Sequence, residues 1–219
     1  MVLAIYGTAG LAKDMFILTQ QIELSNAQFW DDIVFINDFD ELTTFLNKKV
    51  YKFTEFCKEY SAEAIKIVIA VGEPKSRKIL YEKIKSNNYK LATLIHPDTY
   101  IYDYSTISEG CVISKGTYIS MDITMEQNVI IVPPNTGIGH DVTIGAHSVI
   151  GGCCEIGGYT NIGSLCYIGG GANIKDKLNI GDKAIIGMGS VVLKDVEKEV
   201  IVLGNPARTI KNNETGKVF

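Results

Sequence analysis

Residues 138–192 read IGHDVTIGAHSVIGGCCEIGGYTNIGSLCYIGGGANIKDKLNIGDKAIIGMGSVV, and their spacing decides the fold. An aliphatic residue returns at every sixth position: Ile138, Ile144, Ile150, Ile156, Ile162, Ile168, Ile174, Ile180, Ile186 and Val192. Two positions before most of them stands a small or branched residue, among them Val142, Ser148, Cys154, Thr160, Cys166, Ala172, Ala184 and Ser190, and glycine follows most of the aliphatics. Apolar residues at a period of six would spiral around an α-helix. The period suits a coil with three short flat sides, one hexapeptide to a side. The aliphatic then points inward, the small residue packs near the corner, and glycine and polar residues permit the tight turns.

The same rule runs N-terminally through Ile101, Ile107, Ile113, Ile119, Met125 and Ile131, with Ser105, Cys111 and Thr117 in the small slots. Sixteen hexads predict a parallel β-helix of a little over five coils, ~25 Å tall at about 4.8 Å per coil. Between Ile131 and Ile138 the phase slips by one residue. The interior is filled, so the extra residue within Val132-Pro-Pro-Asn-Thr-Gly137 must bulge outward. The bulge is followed directly by Gly139-His140-Asp141 and is expected to lie beside them.

Residues 1–95 follow a different grammar. Val2-Leu-Ala-Ile-Tyr6 is a short apolar run that stops at Gly7-Thr8-Ala9-Gly10, and Leu11 to Ile22 reads as a helix. Ile33–Ile36 and Ile67–Val71 read as strands and Lys75–Lys85 as a helix, while the stretch from Glu41 to Tyr60 is ambiguous by periodicity. Strands alternating with helices predict a small Rossmann-like βαβαβ parallel domain over 1–95, with the β-helix and a C-terminal tail over 96–219.

Composition narrows the function. The 219 residues carry a net charge near −4 with no basic block, which argues against a polymeric nucleic-acid partner. No run of about 18 apolar residues exists, and Met1–Tyr6 is too short for a leader, so no membrane partner is expected. Five cysteines, Cys57, Cys111, Cys153, Cys154 and Cys166, with no C-x-x-C pair, fit reduced thiols and a cytoplasmic location. Cys111, Cys154 and Cys166 occupy inward slots and read as core residues.

Three histidines are present. None shows ligand spacing, and no metal is expected. His140 falls two positions after the inward Ile138 and should face out of the coil. Beside Asp141 it is either a general base, with a carboxylate to hold one tautomer, or an exposed loop residue. His147 should also face outward and reads as structural, and His96 before Pro97 as a junction residue. Gly7-Thr8-Ala9-Gly10, between a strand and a helix, is either an anion-binding turn or an ordinary tight connection.

These residues together resemble the sialic-acid O-acetyltransferase and nucleotide-sugar N-acetyltransferase family of left-handed β-helix acyltransferases. Tyr6-Gly-Thr-Ala-Gly-Leu-Ala-Lys13 resembles that family's first glycine loop. Ala70-Val-Gly72 with Arg77 resembles its third strand and following helix. Leu94-Ile-His-Pro97 resembles the motif opening its β-helix, Gly204-Asn-Pro-Ala207 the motif closing it, and Ile138–Gly145 its catalytic histidine segment. The resemblance implies that the β-helix is left-handed, that His140 is the general base and Asp141 its partner, and that the Gly158 N–H faces the thioester carbonyl. It places Ala9, Gly10, Leu11, Asn37, Asp38 and Gly72 around the nucleotide of a sugar substrate. It places Val149, Gly158, Gly170 and Met188 along a channel for acetyl-CoA, the co-substrate. It also implies a homotrimer with each active site between two β-helices.

Departures are present: Leu11 and Val149 stand where members of the family carry histidine, Gly139 where many carry an acidic residue, and Pro133-Pro134 in place of Asn-Thr. The expected reaction is direct acetyl transfer to the 4-amino group of a UDP- or dTDP-linked 4-amino-4,6-dideoxyhexose. O-acetylation of a sugar such as a sialic acid, or a non-catalytic sugar-nucleotide-binding trimer, are the alternatives.

Overall fold

The computed structural model describes residues 1–213 and 216–218. The N-terminal part runs β1 (Val2–Tyr6), α1 (Gly10–Leu24), β2 (Ile33–Ile36), β3 (Thr44–Phe45), β4 (Lys48–Tyr51), α2 (Phe53–Glu59), β5 (Ile65–Ile69), α3 (Pro74–Ser86) and β6 (Lys90–Leu91). The sheet order is β3-β4-β2-β1-β5-β6. Every pairing is parallel except the β3–β4 hairpin at one edge. The ambiguous stretch before Tyr60 thus resolves into that hairpin and α2. Side chains of β1 alternate between two packed faces. Leu3 and Ile5 meet Ala12, Met15 and Leu18 of α1, whereas Ala4 and Tyr6 meet Phe53 and Phe56 of α2 and Leu80 and Ile84 of α3.

From Leu94 onward the chain winds into a left-handed parallel β-helix of two-residue strands stacked in three sheets. From Cys111 onward the inward aliphatics and small residues named above form one column of buried side chains, with Ile101 and Ile107 partly buried at its start. The outward residues give each face its character. One face carries Leu94, Val112, Ile130, Val149 and Tyr167, which pack against the N-terminal domain; we call it the docked face. The polar face carries Thr106, Thr124, Thr143, Asn161 and Asn179, and the open face carries Tyr118, Gly137, Glu155, Asn173 and Val191.

Coil length confirms the slip. Val112 pairs with Ile130 and Tyr167 with Ile185, eighteen residues on. Tyr118 pairs with Gly137, Thr124 with Thr143 and Ile130 with Val149, nineteen on.

The glycines that follow the aliphatics have a different role from the turn-making one expected. A β-carbon on Gly139 would lie 2.6 Å from Gly158 N, and one on Gly151 2.5 Å from Gly170 N. These positions are glycine because adjacent coils approach too closely for a side chain. The left-handed turn conformation falls two residues later, mostly on residues with side chains: Asp141, His147, Cys153, Tyr159, Leu165, Lys177 and Lys183, all near φ +60°.

The two parts are joined by a buried polar bolt. Arg77 of α3 has no exposed surface. Its Nη1 donates to Ile69 O at 2.8 Å and Val71 O at 3.1 Å, and its Nη2 to Asn128 O at 2.8 Å and Asn128 Oδ1 at 2.5 Å. With Oδ1 committed to Arg77, the Asn128 amide nitrogen faces the other way. It donates to Arg77 O at 3.2 Å and lies 3.0 Å from Nδ1 of His147. His147 leaves the coil outward as expected, yet it is buried, because α3 covers it with Tyr81 edge-on at 5.0 Å. Its Nδ1 must accept and is therefore unprotonated. Burial first, then the charges of Arg77 and Lys78, pull its pKa from 6.5 down to about 4.

Folding therefore favours neutral His147, and its contribution is complete above pH 6.5 and lost as pH falls from 6.5 to 4. Over that window it is worth on the order of 3 kcal/mol. His96, also buried and lowered by desolvation, adds in the same direction. His147→Asn, which suits the left-handed backbone, should flatten the fall of unfolding free energy between pH 6.5 and 4 relative to wild type. Parallel denaturation curves for the two proteins across that range would refute the assignment.

Candidate active site on the edge of the prism

His140 stands on the edge between the open and polar faces, just after Gly137–Ile138, with its side chain 53% exposed. Its Nδ1 lies 2.8 Å from Asp141 Oδ2, so Nδ1–H donates to the carboxylate and Nε2 is left as the basic nitrogen. One coil above is Gly158. A β-carbon there would sit 3.0 Å from both Cε1 and Nε2 of His140, so the imidazole fills the space that glycine leaves.

The direction of the Gly158 amide follows from its counterparts. Ala146 and Ser164 also stand two residues after an inward isoleucine, and their N–H groups donate outward to carboxylates, Glu126 Oε2 at 2.9 Å and Asp182 Oδ1 at 2.8 Å. Among the described residues this is a repeated anion-facing amide. At Gly158 it opens beside Nε2 of a histidine. A basic nitrogen next to an outward N–H suits removal of a proton at one atom while charge develops on another a few ångströms away.

The bulge is not beside His140, contrary to the expectation from the sequence. Pro133–Asn135 lies on the edge between the docked and open faces, because the strand Gly137–Ile138 carries the chain across the open face before it reaches His140. There the bulge walls a groove of about 400 Å³ against Ile17 and Leu18 of α1. Gly170 and the exposed Met188 lie on this same edge, two coils linked by Gly189 N to Gly170 O at 2.9 Å. Val149 is elsewhere again. It is 2% exposed on the docked face, in one apolar cluster with Leu11.

The glycine loop lies at the carboxyl ends of β1, β2 and β5. Gly7 has φ +134°, and a β-carbon would meet Ala70 O at 2.8 Å, whereas one on Gly10 would meet nothing within 4 Å. Ala9 caps α1 without a side-chain bond, so the first helical amides open outward. Gly72 lies against Leu11, whose Cδ2 would be 3.9 Å from a β-carbon placed on the glycine. Asn37 is buried and holds the loop from behind, donating to Thr8 Oγ1 at 2.7 Å.

Asp38 points inward. Its Oδ2 accepts from Tyr6 Oη and from Lys83 Nζ at 2.5 Å, and its Oδ1 from Phe53 N at 2.8 Å. Desolvation raises the pKa of this carboxyl, but the bonds from Lys83, Tyr6 and Phe53 outweigh it and hold it below the ordinary value. The sequence offered no sign of this cluster, since Lys83 lies 45 residues away.

Residues 2–84 match the family described as PglD N-terminal domain. The whole chain is similar to WeeI from Acinetobacter baumannii AYE, with 27% identity, a TM-score of 0.87 and 96% of this chain and 100% of that chain covered. It is similar to the acetyltransferase domain of PglB from Neisseria gonorrhoeae FA1090, with 26% identity, a TM-score of 0.86 and 95% and 99% covered. That domain has also been solved with acetyl coenzyme A. PerB from Caulobacter crescentus, solved with CoA and GDP-perosamine, shares the fold at 21% identity and a TM-score of 0.81, with 96% and 97% covered. The fold and motifs define a hexapeptide-repeat β-helix acyltransferase. Within that class, the chain is similar to the nucleotide-sugar N-acetyltransferases that its motifs resemble.

The geometry of Asp38 has a direct consequence. Asp38→Ala leaves Lys83, Tyr6 and the Phe53 N–H without their shared acceptor and should lower unfolding free energy by about 2 kcal/mol. Denaturant titration reads this; an unchanged midpoint would mean that the cluster is dispensable.

Proposed function

We propose that the protein transfers an acetyl group from acetyl-CoA to the 4-amino group of a UDP- or dTDP-linked 4-amino-4,6-dideoxyhexose. The observation that carries this reading is the His140–Asp141 pair, 2.8 Å apart, with the Gly158 amide one coil above it. The acceptor amine attacks the thioester carbonyl, and Nε2 of His140 takes its proton as the C–N bond forms. Asp141 stabilises the resulting imidazolium. The Gly158 N–H bonds the developing oxyanion, a type of interaction worth roughly 3–4 kcal/mol elsewhere. The intermediate then expels the CoA sulfur, which takes the proton from His140 and leaves as the thiol. Ala9, Gly10, Leu11 and Gly72 surround the nucleotide, with Asn37 and Asp38 shaping their loop. Gly170 and Met188 line the CoA path, with Val149 beneath Leu11.

Assembly follows from position. The N-terminal domain packs on the docked face, and His140 stands on the opposite edge of the prism, with its packed interior between them. A sugar nucleotide held by a chain's own glycine loop is therefore kept from that chain's own His140. We propose a cyclic homotrimer in which the loop and the Gly170–Met188 edge of one subunit face His140 of the next.

Product analysis tests the chemistry. Incubation of acetyl-CoA with UDP-, dTDP- and GDP-linked amino sugars, followed by mass spectrometry and NMR, should show an alkali-stable amide at C4. An alkali-labile ester would defeat the reading. His140→Ala should lower turnover by about 10²–10⁴-fold with the fold intact.

Mixing tests the assembly. His140→Ala subunits reassembled with subunits whose glycine loop is disabled by Gly7→Val should regain activity, because some interfaces then pair an intact loop with an intact histidine. Mixtures no more active than either parent, with mixed oligomers demonstrated by mass, would overturn the shared site.

A further inference from the structure

A half-exposed imidazole bonded to one carboxylate retains freedom to turn about its side-chain torsions. Proton transfer needs Nε2 held toward the acceptor. Asp141 fixes Nδ1, and the gap at Gly158 admits the Cε1–Nε2 edge, but neither fixes the plane of the ring. A third group does. The Tyr159 ring meets the His140 ring at a centroid distance of 4.9 Å and an interplanar angle of 89°.

Burial does not account for a large aromatic at this position. Tyr159 is 51% exposed. It takes the left-handed turn conformation, φ +59°, that Asp141 and Lys177 also take at the same position of the neighbouring coils. Main-chain bonds tie it to its neighbours: Tyr159 N donates to His140 O at 2.9 Å, and Lys177 N, one coil up, to Gly158 O at 2.8 Å. Lys177 Nζ lies 5.9 Å from the Tyr159 centroid, so a cation restrains the ring that restrains the imidazole. Asp141, Tyr159 and Lys177 thus form a column up the edge, alongside His140 and Gly158.

We propose that Tyr159 is a positioning residue for His140, fixing the imidazole plane by edge-on contact so that Nδ1 stays on Asp141 and Nε2 faces the reacting amine. This role rests on the acetyl-transfer reading above. It requires the aromatic ring and not the phenol oxygen.

The test compares Tyr159→Phe with Tyr159→Asn, the latter chosen because asparagine tolerates the left-handed backbone. Two quantities are read in each: kcat and KM with acetyl-CoA and the acceptor, and the His140 tautomer from ¹⁵N NMR of the substrate-free protein. Tyr159→Asn should lower kcat about tenfold, leave KM for acetyl-CoA within about twofold, and shift His140 from one tautomer toward a mixture. Tyr159→Phe should match wild type in both.

Equal losses in the two variants would overturn the proposal by assigning the role to the hydroxyl. Unchanged kcat and tautomer in Tyr159→Asn, with His140→Ala inactive, would overturn it while leaving the function standing. Full turnover by His140→Ala would overturn the base assignment itself, and the positioning role with it, whatever the NMR shows.

Discussion

A coil of this prism holds eighteen residues, because each of its three walls is one hexapeptide and each inward isoleucine must sit on the one below. Backbone hydrogen bonds enforce the same register: Gly139 N reaches Ile156 O at 2.8 Å and Gly145 N reaches Ile162 O at 2.8 Å. Coils so closely stacked leave no room for a β-carbon at Gly139, Gly151 or Gly169. Any residue beyond eighteen has to leave the wall, as it does at Pro133–Asn135. What remains variable is what projects from the faces and edges, and there the fold places its chemistry.

The edges are suited to that task for a backbone reason. Two residues after each inward isoleucine, the chain turns out of the sheet and its N–H no longer joins the ladder. Glu126 and Asp182 satisfy two of these amides from neighbouring coils. At Gly158 the imidazole of His140 lies alongside, in the space that a β-carbon would fill. In the proposed reaction this amide, a feature that elsewhere meets a carboxylate, faces the developing oxyanion.

The N-terminal domain is held by a different kind of interaction. The apolar outward residues of the docked face supply area, whereas Arg77, Asn128 and His147 supply direction. Arg77 directs its donors to carbonyls of its own sheet and of the β-helix, none of them charged. A buried guanidinium without a carboxylate is costly to desolvate. Its hydrogen bonds accordingly hold only at one relative placement of the two domains, which sets the glycine loop on the far side of the prism from His140.

The hexad period by itself determined the β-helix, its core, the outward facing of His140 and the existence of a bulge, because a covalent spacing of six has one regular solution in three walls. The sequence also carried the docked face, unread: in every third hexad the residue before the inward aliphatic is Val112, Ile130, Val149, Tyr167 or Ile185, where the polar face shows Thr106, Thr124, Thr143, Asn161 and Asn179. Only tertiary structure decided that Asp38 turns inward to Lys83, that His147 is covered by α3 and that Tyr159 meets His140. Each depends on residues brought together from different coils or from the two domains. Sequence spacing fixes which way a side chain leaves its own coil, but only packing decides what it meets.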